Sequence, residues 1–239
     1  YLIHSMAAVE DYGERDRRAA RAFAAAAREA GVERIVYLGG LVPHDADSEH
    51  IVSRRDTGEV LREGTVPVIE LRAGIIVGPG SAAFEVMRDL VLNLPVMVTP
   101  RLVQAKSPPI ALDNLLEYLV RLPAVPAAQG RILDAGGPAL LPHADLMPRL
   151  AVGLVPTCTP ASSQRRPWII PVRVPTPRLS SYGVRLITAV PTPIARALIG
   201  GLKHDFGADD AELRRLVPQR LLDFDESVQA VFEAERRHE

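Results

Sequence analysis

Short apolar runs alternate with amphipathic stretches along the first 150 residues. Residues 1–4 read as a short apolar strand. Asp11 with Glu14 three residues on gives a capping-box-like helix start. The following stretch, 15–30, is rich in Ala and Arg and carries Ala19, Phe23, Ala26, Ala27 and Ala30 on one helical face. Gly31 stands where a helix takes a left-handed C-cap. Residues 34–38 form a continuous apolar run, the signature of a strand buried on both faces of a parallel sheet. The alternation continues with a helix over 51–63, a strand over 66–72, and a helix over 82–94 with Phe84, Met87, Val91 and Leu94 inward. A helix over 113–122 capped by Asp113 and a strand over 131–134 complete it. This order with short connections predicts an α/β fold, a doubly wound parallel sheet in which 1–4, 34–38 and 66–71 are neighbouring strands.

Beyond residue 151 the texture changes. Pro156, Pro160, Pro167, Pro171, Pro175 and Pro177 crowd one stretch, and proline blocks both helix continuation and central-strand pairing. The stretch reads as a loop or lid leading to a helical region over 179–190, 194–202, 211–216 and 227–236. The expected organisation is a nucleotide-binding core over 1–150 and a linker with a mostly helical lobe over 151–239.

Composition narrows the functions open to such a fold. Hydrophobic residues make up 47% and charged residues 24% of the 239, the balance of a globular chain with a substantial core. The 28 basic and 29 acidic side chains nearly cancel, so a nucleic-acid or membrane-surface partner has little electrostatic support. The nearest approach to a membrane span, 90–98, is interrupted by Asn93 and Pro95. The single cysteine, Cys158, excludes an internal disulfide and a Cys-based zinc site, and a reducing cytoplasm is the expected location. The first residues lack a basic start and a small-residue cleavage site, and so do not read as a signal peptide. The chain reads as beginning inside a structural element, with further strands expected upstream. The apolar edge at 1–4 is then expected to be covered by such residues, by a rearranged segment, or by a second chain in a homo-oligomer.

Four blocks carry a resemblance to a known family. Segment 30–40 (AGVERIVYLGG) resembles the "aGv.r.VylSS" strand of extended and atypical short-chain dehydrogenases/reductases, the NAD(P)-dependent epimerase/dehydratase and NmrA-like proteins. Segment 71–80 (LRAGIIVGPG) resembles their "lRp..iyGpg" block, 107–114 (SPPIALDN) sits where they have "..vhvdDla", and 130–138 (GRILDAGGP) resembles "g..yniggp". The resemblance implies a Rossmann-type fold, NAD or NADP as cofactor, and a small-molecule substrate. It makes 1–4 the family's fourth strand and puts the glycine-rich turn that seats a pyrophosphate outside this sequence. Gly78-Pro-Gly80 and Gly136-Gly137 have the wrong spacing for it.

The family works with Ser, Tyr and Lys, the last two spaced Y-x-x-x-K so that one helical turn sets Lys beside Tyr and lowers the phenol pKa. Here segment 50–59 (HIVSRRDTGE) aligns with "Y..SK.e.E". His50 takes the Tyr position, Arg54 the Lys position, and Gly39 or Gly40 the Ser position. Two readings stand side by side. In one, His50 is the acid/base, since an imidazole with a reference pKa of about 6.5 suits proton transfer near neutrality, and Arg54 holds ribose hydroxyls or a phosphate. In the other, His50 is a helix-start residue and Arg54 a solvated charge. His4, Ser5 and Met6, ending the first strand, are candidates for the cofactor edge. Ala73 and Gly74 are too, because small residues let a nicotinamide approach the backbone. His44, Asp45, Asp47 and His50 cluster without zinc-ligand spacing, so no metal is expected. Arg165 and Arg166 read as a solvated loop or a contact for an anionic substrate, and Cys158 as inert. The functional alternatives are an NAD(P)-binding oxidoreductase and a non-catalytic dinucleotide-sensing or scaffold relative.

Overall fold

The computed structural model describes residues 11–43, 46, 48–93, 96–100, 105–154, 168–172 and 204–238. The expected strand at 1–4 with its edge, the helices at 179–190 and 194–202, and residues 44, 45, 47, 94, 158, 165 and 166 lie outside these.

Helix α1 (Tyr12–Glu29) leads to β1 (Ile35–Gly40), α2 (Glu49–Arg62), β2 (Val68–Ala73), β3 (Ile76–Val77) and α3 (Ala82–Asn93). Then come β4 (Val96–Pro100), β5 (Lys106–Ser107), β6 (Ile110–Ala111), α4 (Leu112–Arg121), β7 (Ile132–Ala135), β8 (Leu141–Pro142) and α5 (His143–Leu154). Strand β9 (Trp168–Val172) and helices α6 (Ala211–Leu216) and α7 (Phe224–His238) follow. The central sheet has the order β1-β2-β7, with every pairing parallel: Ile35 opposite Val68, Gly40 opposite Ala73, and Leu71 opposite Leu133.

The apolar runs are buried on both sides, as parallel strands require. Ile35, Tyr37 and Val68 pack against Ala20 and Ala27 of α1 and Val60 and Leu61 of α2. On the opposite face Leu38, Ile69, Leu71 and Leu133 meet Leu115, Tyr118 and Leu122 at α4, and Leu213 and Val217 at α6. A separate cluster joins Val77, Phe84 of α3, Leu146 and Leu150 of α5, and Phe224, Val228 and Phe232 of α7. Each fully buried Leu or Phe among these contributes about 1.5–3 kcal/mol of transfer free energy.

Several local expectations are corrected. The buried face of α1 is Gly13, Asp16, Ala20 and Ala27, while Phe23 is exposed and Ala26 and Ala30 face water. An Ala-rich helix has too little contrast in hydropathy to fix its own rotation, and small residues win the face that meets α2. Asp11 precedes α1 in the left-handed region (φ 52°) and makes no side-chain cap. Asp113 does not cap α4 either: the cap position is Ala111. Its exposed carboxylate instead sits in the first turn, where the helix dipole favours it. The Pro-rich stretch contains β9, paired in parallel with β4 from Val96–Trp168 to Pro100–Val172. Pro171 stands opposite Thr99 in this pair. The last helix starts three residues early because of a true capping box. The Glu226 N–H donates to Asp223 Oδ1 at 2.8 Å and the Asp223 N–H to Glu226 Oε2 at 2.9 Å. Gly31, with φ +66°, takes the left-handed position after α1, and the Val32 N–H closes back on the Ala27 carbonyl at 2.9 Å.

The turn between α6 and α7 is held by one buried amide. Asn114 donates through Nδ2 to Gln219 Oε1 (2.8 Å) and to the Arg220 carbonyl (2.9 Å), and its Oδ1 accepts from the Leu222 N–H (2.9 Å). Asn114→Ala orphans these groups and is expected to destabilise the fold by about 1–3 kcal/mol. Limited proteolysis should then cut first near 217–223. An unchanged urea midpoint and cleavage pattern would show that the amide is not what docks α7.

Candidate functional site

The C-terminal ends of β1 and β2 form a floor of small residues. Gly40 lies opposite Ala73, and the Ala73 carbonyl accepts the Leu41 N–H at 3.1 Å. A Cβ on Gly74 would stand 3.1 Å from Leu41 Cδ1. Over this floor comes Arg54. Its Cδ would lie 3.1 Å, and its Nη1 3.5 Å, from a Cβ placed on Gly40. The structure thus brings Gly39, Gly40, Arg54, Ala73 and Gly74 to one sheet edge. His50 is half-buried in the first turn of α2, one turn before Arg54. His4, Ser5 and Met6 lie outside the described residues.

Helix α2 is fixed in place at several points. The buried Tyr37 hydroxyl donates to the Arg54 carbonyl at 2.9 Å. Ser53 Oγ donates to Asp16 Oδ2 at 3.0 Å, with both residues buried between α1 and α2, and Thr57 Oγ1 donates to the Ser53 carbonyl at 2.8 Å. Arg17 adds an ion pair to Asp56 at 3.1 Å. Where α2 crosses β2 the contact is made at Gly58, whose Cβ would lie 2.5 Å from Glu70 Oε2.

Glu70 is 1% exposed in the middle of β2 and is held by Arg72 Nε at 2.6 Å and by the Arg62 guanidinium. A carboxylate buried this deeply requires such partners. Burial lowers the pKa of Arg62 and of Arg72, although for Arg72 the Asp134 carboxylate pulls the other way. Burial likewise lowers that of Arg54, opposed by Tyr37 and by the Asp16 carboxylate.

None of this network was singled out by the sequence pattern. One signal was present: Glu70 interrupts an apolar strand run and is followed two residues on by Arg72. The Asp16–Ser53 pair had no such signal, since the two are joined only by the packing of α1 on α2.

The glycines that a phosphate loop would need are occupied elsewhere. The Gly80 N–H donates to Glu85 Oε1 at 3.0 Å, so a carboxylate already sits at the start of α3. The Gly137 N–H donates to the Pro108 carbonyl at 3.2 Å, and Gly137 is pressed against the Pro109 carbonyl, leaving no room for a side chain.

No protein-family model matches the sequence, and no curated protein matches it. Solved structures do resemble the fold. Triphenylmethane reductase from Citrobacter sp. superposes with a TM-score of 0.70 at 15% identity, over 95% of this chain and 74% of the reductase. An NADPH-dependent quinone oxidoreductase from Escherichia coli, solved with NADPH, gives 0.67 at 16% identity over 94% and 73%. A nucleoside-diphosphate-sugar epimerase from Staphylococcus aureus gives 0.66 at 11% identity over 95% and 75%. The chain has the Rossmann-type α/β fold that these structures share. Among the described residues no helix is long and apolar enough to cross a membrane.

Proposed function

We propose that this is an NAD(P)-binding oxidoreductase-like protein acting on a small molecule, with His50 as its acid/base and Arg54 at the ribose edge of the cofactor. The observation that carries the reading is the convergence of Arg54 with the Gly40–Ala73 floor at the C-terminal end of a parallel sheet. In such sheets ligands bind outside the carboxyl ends of the strands. The position aligned with the family's lysine thereby holds a cation, and the one aligned with its serine a glycine. His4, Ser5 and Met6, ending the neighbouring strand in this reading, would complete the cofactor edge. The bound cofactor would supply hydride chemistry; the chain's own part is to seat the nicotinamide on small residues and to move a proton at the His50 imidazole.

The substrate would lie between the sheet edge and the helical region of 151–239. A mostly apolar groove of about 580 Å³ lies between Val77, Pro79, Leu112 and the α7 residues Val231 and Ala234, and none of the sheet-edge residues lines it. A cytoplasmic enzyme, with a second chain covering the edge at 1–4, fits this reading. The non-catalytic alternative, a dinucleotide-sensing or scaffold protein, is favoured by one observation: all three family catalytic positions differ together, at Gly39 or Gly40, His50 and Arg54. Titration with NADH and NADPH, followed by turnover of the His50→Ala variant, tests the reading against its alternative.

A further inference from the structure

Arg54 differs from the other arginines of its helix. Arg55 pairs with Asp56 at 3.2 Å and Glu59 at 3.7 Å, and Arg62 pairs with Glu70. Arg54 has no carboxylate within ion-pair distance among the described residues, and its buried Nε finds no hydrogen-bond acceptor. The groups facing it offer no substitute. The Tyr37 hydroxyl is spent on the Arg54 carbonyl and is neutral at physiological pH. Asp16 accepts from Ser53 Oγ and acts on Arg54 only through its field. Arg54 is half-buried, and desolvation pushes this guanidinium's pKa down against the opposing pull of Tyr37 and Asp16. Among the described residues the other arginines of this helix, Arg55 and Arg62, have carboxylate partners and Arg54 has none. Gly40 lets the arginine pack down on the strand end: a Cβ at position 40 would stand 3.1 Å from Arg54 Cδ and 3.5 Å from its Nη1.

We propose that Arg54, above the glycine at position 40, is the seat for an oxyanion of the bound ligand, a carboxylate or a phosphate. The inference rests on the reading of this sheet edge as a ligand site and adds the charge of what binds there. A planar guanidinium presents paired donors that match a carboxylate or phosphate, and ribose hydroxyls alone would leave its charge uncompensated. The oxyanion belongs either to a small acidic substrate or to the cofactor's own phosphate.

Calorimetric titration of the full protein with oxalate and with inorganic phosphate, at constant ionic strength set by chloride, tests the seat. Saturable binding is expected for the wild type. Loss of charge-assisted hydrogen bonds should weaken it about 10-fold or more in Arg54→Gln and less in Arg54→Lys. Gly40→Val, which keeps the arginine but pushes it off the strand end, should also weaken it. Without ligand, Arg54→Gln should melt no lower than the wild type, because it removes an uncompensated charge; a purely structural arginine would melt lower when lost. Saturation with NADH identifies the source. Competition with oxalate assigns the oxyanion to the cofactor, and simultaneous binding assigns it to the substrate. Oxalate binding without any NADH binding would sink the cofactor reading and leave the seat standing. Equal oxyanion affinity in wild type, Arg54→Gln and Gly40→Val, or no binding beyond chloride, would overturn the proposal.

Discussion

Glu70→Ala is expected to destabilise the protein by about 3 kcal/mol, the lower end of the range for breaking a buried ion pair. Glu70 is 1% exposed and serves two arginines, Arg62 and Arg72, which are 25% and 19% exposed. Without the carboxylate both cations lose their ion-pair partner and keep only the carboxylate fields of Glu59 and, for Arg72, Asp134. Their partial exposure lets them swing toward water, which keeps the loss from the top of the range. The triple variant Glu70→Leu, Arg62→Met, Arg72→Met removes all three charges and should regain most of the loss, because apolar replacement of a whole buried cluster is often neutral. Urea denaturation of the three proteins checks this. A single variant within about 0.5 kcal/mol of wild type, the range of an ordinary surface substitution, would mean that β2 is not held by this cluster.

The second large effect concerns chemistry. In a protein that turns over a substrate with NAD(P)H, His50→Ala should lower turnover by about 10²-fold or more, the usual scale for losing an acid/base, with cofactor affinity little changed. Arg54→Ala should do the reverse, weakening cofactor binding more than it slows the bound complex. The contrast follows from position. His50 is in the first turn of α2, half-buried, whereas Arg54 lies against the strand end with its helix pinned by Tyr37 and Asp16. Separate measurement of kcat and of NADH affinity resolves the two. Full turnover in His50→Ala would leave the imidazole a helix-start residue and favour the non-catalytic reading.

The parallel sheet was legible because 34–38 and 66–72 are apolar almost throughout, and only a strand covered on both faces needs that. Gly31 was legible because a left-handed residue after a helix needs glycine. Helix rotation was not: in α1 the buried positions are Gly13, Asp16, Ala20 and Ala27, a glycine, a carboxylate and two alanines that no apolar count selects. Asp16 is buried because Ser53, far along the chain, donates to it. The capping box Asp223–Glu226 lies ahead of the apolar period of its helix, so that period alone places the start at Ser227. For the site, the spacing of His50 and Arg54 was readable, while the fit of Arg54 over Gly40 was not. That fit depends on the register of β1 against β2 and the height at which Gly58 lets α2 cross.

The central claim, a sheet edge that holds a dinucleotide, is tested most directly by titrating the full protein with NADH and with NADPH and following the fluorescence of the reduced nicotinamide. The account predicts saturable binding of at least one of the two, weakened about 10-fold or more by Arg54→Gln through loss of charge-assisted hydrogen bonds. No saturable binding of either dinucleotide to the folded protein, or binding that Arg54→Gln leaves untouched, would contradict it.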